Sequence, residues 1–298
     1  MDDVRHGTRL REAVRSRDIT PLIGVYDVFS ATVAARYYDG IFVSGFGFAA
    51  SHYGLPDIGF ITWTDMLAFV ERLRCVLPWH HMLVDIDDGY CDTEVACHVV
   101  SRLEQLGASG VVLEDQKRPR RCGHFGGKQL LDVDDYLEKL ERVLDTRHEL
   151  VVVARTDATD PNDIERRVRA FAATGADAVL VDGLTNLELI PRLRRSIDKP
   201  MVFNQIAGGE SPPVSLSRLR ELGIGLAIYS TPCLFAAQAA ITESMIELVE
   251  NDGELPALRD GRIGVAACTE VLRDNLARRD QSRDVTQRNG TTTRRSAA

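Results

Sequence analysis

The chain has 298 residues, 44% apolar and 27% charged, with a formal net charge of −8. That apolar share is ample for a large core, and the negative charge argues against nucleic acid as a partner. No apolar run approaches the roughly 20 residues of a membrane span, so no membrane partner is expected either.

The N-terminal stretch MDDVRHGTRLREAVRSRD lacks the apolar centre of a signal peptide. It reads as a short amphipathic helix with Leu10, Ala13 and Val14 turned inward. A strand-helix unit then repeats along the chain. The strands expected in order are Leu22–Tyr26, Gly40–Ser44, Met82–Asp87, Gly110–Asp115, Val151–Thr156, Ala178–Asp182, Met201–Asn204 and Leu226–Tyr229. Each is a short continuous apolar run, the composition of a strand buried on both faces in a parallel sheet. Amphipathic helices are expected between them, among them Thr64–Leu77, Glu94–Leu106 and Asp163–Thr174. Gly107, Gly175 and Gly223 precede strands where a left-handed helix cap is expected.

Eight strands with intervening helices predict a TIM-type (β/α)8 barrel, in keeping with the roughly 250 residues such a domain needs. An open doubly wound sheet is the alternative. Two more helices, Leu234–Glu250 and Leu258–Leu276, follow the last strand, one more than a barrel needs. The surplus helix is expected to bury its apolar face on a neighbouring subunit. The expected organisation is one domain over 1–277 and a disordered tail over 278–298, where the sequence is polar and aperiodic.

In a barrel, catalytic groups gather at the C-terminal ends of the strands. Those ends carry Ser44-Gly45, Asp85-Ile86-Asp87-Asp88-Gly89, Glu114-Asp115, Arg155-Thr156-Asp157, Asp182 and Asn204. Asp115 and Asp157 read as helix N-caps. Asp85 and Asp87, two apart, should point the same way from a strand. With Glu114 from the next strand they form a cluster of like charge that calls for a cation. Oxygen-only ligands suit a hard ion, Mg²⁺ or Mn²⁺. The stretch GFGFAA at 45–50 matches a loose dinucleotide fingerprint, but the turn-rich segment after it does not open a long helix. Ser44, Gly45 and nearby backbone amides are better read as binding a substrate carboxylate.

The six cysteines are scattered with no CxxC pair, which suits a reducing cytoplasm rather than a disulfide framework. Five sit in apolar or helical contexts. Cys122 stands in a polar, glycine-flanked loop, EDQKRPRRCGHFGGK at 114–128. The basic residues Lys117, Arg118, Arg120 and Arg121 are expected to favour its thiolate and to attract an anionic substrate. Gly123, Gly126 and Gly127 are expected to let the loop open and close.

These strand ends resemble the isocitrate lyase/phosphoenolpyruvate mutase superfamily over roughly residues 8–250. The resemblance rests on SGFGFAASHYGLPDIGF, VDIDDGY, LEDQKRPRRCGHFGGK, VARTDA, FNQIAGGESP and LGIGLAIYS. It implies a Mg²⁺-dependent barrel and chemistry through an enolate of an α-oxo or carboxylate compound. It also implies a homotetramer, a dimer of helix-swapped dimers. The Cys-Gly-His loop points to the carbon–carbon lyase branch, that of the methylisocitrate and dimethylmalate lyases. The substrate implied is a 2-hydroxy di- or tricarboxylate, cleaved to pyruvate or glyoxylate plus a carboxylate. The matched positions put Asp85, Asp87 and Glu114 at the metal, and Cys122, His124, Arg155 and Asp182 in catalysis. Ser44, Gly45, Phe46, Asp57, Gly123 and Asn204 fall at the substrate. In this reading Cys122 protonates the leaving enolate, whose charge Arg155 and His124 offset.

Four departures set the chain apart from that pattern. Cys91 replaces a glycine, Phe42-Val43 stand where a tyrosine is usual, Asp182 replaces a glutamate, and Ala207 replaces another. They imply a pocket for a smaller or different acid. An oxaloacetate decarboxylase or a phosphonomutase of the same superfamily is the alternative activity, and a degenerate barrel without catalysis is a further one.

Overall fold

The computed structural model describes residues 5–16, 18–124, 126–255 and 263–292, with 281–292 described by backbone alone. Eight parallel strands close into a barrel in sequence order: β1 (Thr20–Val25), β2 (Gly40–Val43), β3 (His81–Asp85), β4 (Gly110–Glu114), β5 (Val151–Thr156), β6 (Ala178–Val181), β7 (Met201–Gln205) and β8 (Ile224–Tyr229). All eight lie where the apolar runs placed them, with ends shifted by a residue or two. The closing pair is β1 with β8, in the register Leu22↔Ile228 and Ile23↔Tyr229.

The helices are α1 (His6–Arg15), α2 (Val28–Ala34), α3 (Gly45–Phe48), α4 (Trp63–Val76), α5 (Thr93–Gln105), α6 (Val133–Thr146), α7 (Pro161–Ala172), α8 (Leu189–Ser196), α9 (Leu216–Glu221), α10 (Pro232–Glu250) and α11 (Val265–Thr292). The segment after β2 is more helical than its turn residues suggested, since α3 runs straight into a π-helical turn at Ala49–Tyr53. Gly107 and Gly223 take positive φ, as the caps require, whereas Gly175 does not.

Two buried layers result. The outer one packs helix faces on the strands. The inner one fills the barrel with Leu22, Phe42, Leu83, Val112, Val153, Leu180, Val202, Leu226 and Ile228, and Leu10 and Val14 of α1 join it. Leu10 is fully buried and Ala13 is only partly so. Filling this end leaves the opposite mouth, at the strand C-terminal ends, as the concave face.

The two extra helices behave differently. α11 packs along α2 and α4, with Asn275 Nδ2 donating to Thr32 Oγ1 at 2.8 Å. It continues to Thr292, past Arg278, where the sequence expects an unstructured tail. The segment ARRDQSRDVTQR has no apolar stripe, but it contains no proline and several good helix formers. Residues 293–298, and the expected start of this helix at 258–262, lie outside the described residues. α10 buries no residue at all. Ile241, Met245, Ile246 and Val249 are all exposed on it. Against the sequence expectation, it is also long and apolar enough to cross a membrane by length and composition alone.

Candidate active site

The loop from β4 carries the thiol. Its neck is a short antiparallel pairing: Lys117 N–H donates to the Gln129 carbonyl at 2.7 Å and Leu131 N–H to that of Asp115 at 2.9 Å. Above the neck the chain folds over the barrel mouth and encloses a cavity of about 20 Å³, room for about one water. Of the expected residues, Ser44, Phe46, Asp57, Asp85, Cys122, Gly123, Arg155, Asp182 and Asn204 line it. Gly45, Asp87, Glu114 and His124 stand directly behind, each in contact with that wall. A Cβ on Gly45 would lie 3.4 Å from both Asp85 Oδ2 and Asp87 Oδ1.

Asp85 and Asp87 converge for a reason other than strand alternation. β3 ends at Asp85, and Asp87 sits in the left-handed region with φ 52°. Its N–H donates back to Asp85 Oδ1 at 3.2 Å. The turn continues through Gly89, Tyr90 and Cys91, all at positive φ. Cys91 thus takes at φ 85° a conformation that suits the glycine it replaces. The loop is anchored from below by buried Lys139, whose ammonium donates to the carbonyls of Asp88 at 2.9 Å and Cys91 at 3.1 Å.

One guanidinium that the sequence assigned only to loop charge is central. Arg120 reaches Asp57 Oδ1 at 2.6 Å, Asp87 Oδ1 at 3.0 Å and Glu114 Oε1 at 3.0 Å, and all four groups are buried. A second, Arg155, gathers Glu114 Oε2 at 3.1 Å, Asp157 Oδ1 at 3.0 Å and Asp182 Oδ2 at 2.8 Å on one nitrogen. Its Nε is buried without a hydrogen bond. Asp182 takes a further bond from Asn204 Nδ2 at 2.8 Å, and Ser230 Oγ holds Asn204 Oδ1 at 2.7 Å. His124 accepts the Glu210 N–H on Nδ1 at 2.9 Å, which places its proton on Nε2, 3.5 Å from Asp182 Oδ1. Gly209 permits this approach, since a Cβ there would stand 2.5 Å from His124 Nδ1. Ser44 spends its hydroxyl on the Gly47 N–H at 3.1 Å, capping α3.

The electrostatics divide the site. Burial and neighbouring acids raise Asp85 and Asp87, although Arg120 and Arg155 oppose this. Glu114 is pushed up to about 8, chiefly by burial. Burial acts on Asp182 too, but Arg155, His124 and Asn204 outweigh it and hold this carboxyl well below the usual range. Arg155 and His124 thus favour Asp182 as its anion, and Asp182 in turn lies 2.8 Å from Arg155 and 3.5 Å from His124. Cys122 corrects an expectation: burial, with Asp57 and Asp182 nearby, pushes its thiol up to about 12. The basic loop does not favour the thiolate, because Arg120 is spent on carboxylates and Arg118 grips Asp88 at 2.7 and 2.8 Å.

Asp115 and Asp157 are not helix caps. Asp115 pairs with Arg167 at 2.9 Å and accepts the Asp157 N–H at 3.1 Å, while the Asp157 side chain faces Arg155. Sequence reasoning also passed over Gln116, Lys128, Ser230 and Tyr90. All four lie within the motifs that carry the resemblance, Tyr90 in VDIDDGY, Gln116 and Lys128 in LEDQKRPRRCGHFGGK and Ser230 in LGIGLAIYS, but the motifs alone assign them no contact.

The acidic cluster suits a hard divalent cation. Its donors are all oxygens: Asp87 Oδ1 and Glu114 Oε2 are buried with a guanidinium nitrogen at 3.0 and 3.1 Å but no aligned hydrogen bond, and the buried Tyr90 hydroxyl has none either. Among the described residues no three His, Cys, Asp or Glu side chains close tightly on one point. The cluster therefore suits an ion that keeps much of its own water, as Mg²⁺ does.

Comparison with known proteins agrees with this geometry. A family model described as phosphoenolpyruvate phosphomutase matches residues 10–249. The chain is 30% identical over 250 residues to a 2-methylisocitrate lyase of Aeropyrum pernix, covering 83% of this chain and 80% of that protein. A crystal structure of 2,3-dimethylmalate lyase superposes with a TM-score of 0.86 at 29% identity, over 97% of this chain and 96% of that one. A structure of oxaloacetate acetylhydrolase with the inhibitor 3,3-difluorooxalacetate superposes with a TM-score of 0.85 at 26% identity, over 93% and 97%.

Proposed function

The chain belongs to the phosphoenolpyruvate phosphomutase family, and from that premise we propose that it is a Mg²⁺-dependent carbon–carbon lyase. Its substrate is a 2-hydroxy di- or tricarboxylate of the methylisocitrate or dimethylmalate type. The products are pyruvate or glyoxylate and a smaller carboxylate. The observation that carries this reading is one cavity faced by the Cys122 thiol, the Arg155 guanidinium and the Asp85 carboxylate, with Asp87 and Glu114 behind it.

Asp85, Asp87 and Glu114 would hold Mg²⁺, mainly through water. When bound, the ion supplies charge stabilisation for oxygens of a hydroxy acid and lowers the hydroxyl pKa. Arg155 offers its buried, unpartnered Nε to a carboxylate of the substrate. As the carbon–carbon bond breaks, the hydroxyl proton passes to the acidic cluster of Asp85, Asp87 and Glu114, whose raised proton affinity suits it as the acceptor. The hydroxyl carbon becomes the carbonyl of the oxo acid, and the bonding pair passes to the other fragment as an enolate. Arg155 and the His124 Nε2–H face that developing charge. Cys122 then donates its proton to the enolate carbon. A buried thiol that stays protonated at neutral pH suits this step better than a thiolate would. The thiolate recovers its proton when the loop opens to water.

A cavity of about 20 Å³ cannot admit such a substrate, so the loop over it must open for each turnover. The exposed apolar face of α10 supports a homotetramer built from dimers that exchange their C-terminal helices. The six free cysteines support a cytoplasmic location.

The structural match to oxaloacetate acetylhydrolase favours one second reading, action on oxaloacetate: hydrolysis would give oxalate and acetate and still needs a proton donor, whereas decarboxylation to pyruvate does not need Cys122 in that role. The test is release of pyruvate, glyoxylate or oxalate with Mg²⁺, with and without EDTA, from methylisocitrate, isocitrate, dimethylmalate, oxaloacetate and phosphonopyruvate. EDTA-sensitive release from a hydroxy acid is expected. Turnover of oxaloacetate alone moves the assignment to the second reading.

A further inference from the structure

The two peptide groups that flank the thiol are tied down by side chains that meet at one carboxylate. On the N-terminal side, Gln116 clamps Arg121 twice: its Oε1 accepts the Arg121 N–H at 2.9 Å and its Nε2 donates to the Arg121 carbonyl at 2.7 Å. The same Nε2 donates to Asp157 Oδ2 at 2.9 Å. On the C-terminal side, the Lys128 ammonium donates to the Gly123 carbonyl, and it lies 3.9 Å from Asp157 Oδ1. Asp157 is itself fixed by Arg155, at 3.0 and 3.1 Å. Gln116 is 1% exposed, so its amide has no competing water. It also begins the loop neck, where it bridges to Leu130, so its backbone stays in place when the loop tip moves.

We propose that Gln116, Lys128 and Asp157 form a latch: positioning residues that hold the Cys122 turn shut over the cavity and link its closure to Arg155. Opening requires that the Gln116–Arg121 and Lys128–Gly123 bonds be given up, while the neck pairing persists. The glycines suit such a movement. Gly126 has open space where a Cβ would stand, and Gly127 has φ 81°. Because Arg155 holds both Asp157 and the unpartnered Nε, an anion that pulls on this guanidinium acts on the latch as well.

The inference rests on the proposed role for Cys122, yet its test needs no turnover. The rate at which N-ethylmaleimide labels each cysteine is followed by peptide mass spectrometry in the intact protein, for wild type, Gln116→Leu and Lys128→Met. Loss of a hydrogen bond of ordinary net strength shifts the opening equilibrium by about tenfold. Labelling of Cys122 is therefore expected to rise by about tenfold in both variants, with buried Cys97 still protected, and Lys128→Arg should restore most of the protection. Where a substrate is turned over, kcat should fall more than KM rises. Cys122 labelling at the wild-type rate in either variant overturns the latch. So does a rise that Cys97 shares, because that reports general loosening. A labelling result as expected in a protein that cleaves no hydroxy acid would leave the latch standing and remove only the lyase reading.

Discussion

Gly123 has no room for a methyl group. A Cβ there would overlap the Asp182 carboxylate and the Arg155 guanidinium, and would stand 2.7 Å from Asp157 Oδ1. All three neighbours are buried and fixed by ion pairs, so the backbone would have to yield instead. Gly123→Ala is expected to lift the Cys122 turn off the cavity and lower kcat by about 10²-fold, the scale of a misplacement near 1 Å. Circular dichroism should show an unchanged fold, since the barrel strands are untouched. Wild-type kcat in this variant would show that the loop need not close as described. The same crowding explains what the sequence could and could not disclose at this scale. The strand-end acids were legible because their positions follow from the barrel itself. The roles of Arg120, Gln116, Asp157 and Lys128 were not, because each depends on where a loop folds back over distant strands. Asp157 looked like a helix cap until its neighbours in space were known.

Among the elements, α1 seals the barrel at the end opposite the site. Leu10 is fully buried among Leu22, Leu83 and their neighbours. Leu10→Ala should cost about 2–5 kcal/mol in urea denaturation, the range for an unfilled core site. A loss under about 1 kcal/mol would mean that α1 does not seal the barrel. This junction also carries the acid sensitivity. Burial lowers His6 to about 3, helped by Arg74 and Arg9, and burial with Arg9 lowers His81 to about 4. These are bases with depressed folded pKa values, so between those values and 6.5 the unfolded chain binds the protons first. Their effect is that stability is greatest above pH 6.5, falls as pH drops, and levels off below about 3. The doubly substituted His6→Gln, His81→Gln protein should lose less Tm than wild type between pH 7 and 4.5. Equal losses would show that neither histidine is buried as described. The strands were readable because burial on both faces makes them continuously apolar. Helix ends were readable where a glycine cap was required, as at Gly107 and Gly223. The end of α11 was not, since a helix without an apolar stripe leaves no periodicity to follow.

For the whole molecule, the feature that one chain does not satisfy is α10. Its start packs on β1, but among the described residues Ile241, Met245, Ile246 and Val249 stay exposed, and Glu243 and Glu247 punctuate the helix. These carboxylates suit a protein interface better than a bilayer core. The double substitution Ile241→Asp, Ile246→Asp should convert a tetramer to a smaller species in sedimentation velocity. An unchanged sedimentation coefficient would place the interface elsewhere. The central claim, however, concerns the cavity: that a buried thiol delivers the proton that completes carbon–carbon cleavage. It is tested most directly by comparing Cys122→Ala with wild type, at saturating Mg²⁺, on the hydroxy acid that wild type cleaves and on oxaloacetate. Removal of a general acid should lower release from the hydroxy acid by about 10²–10⁴-fold, while any decarboxylation of oxaloacetate persists. Cleavage of the hydroxy acid at the wild-type rate would contradict the account and assign the proton to another donor.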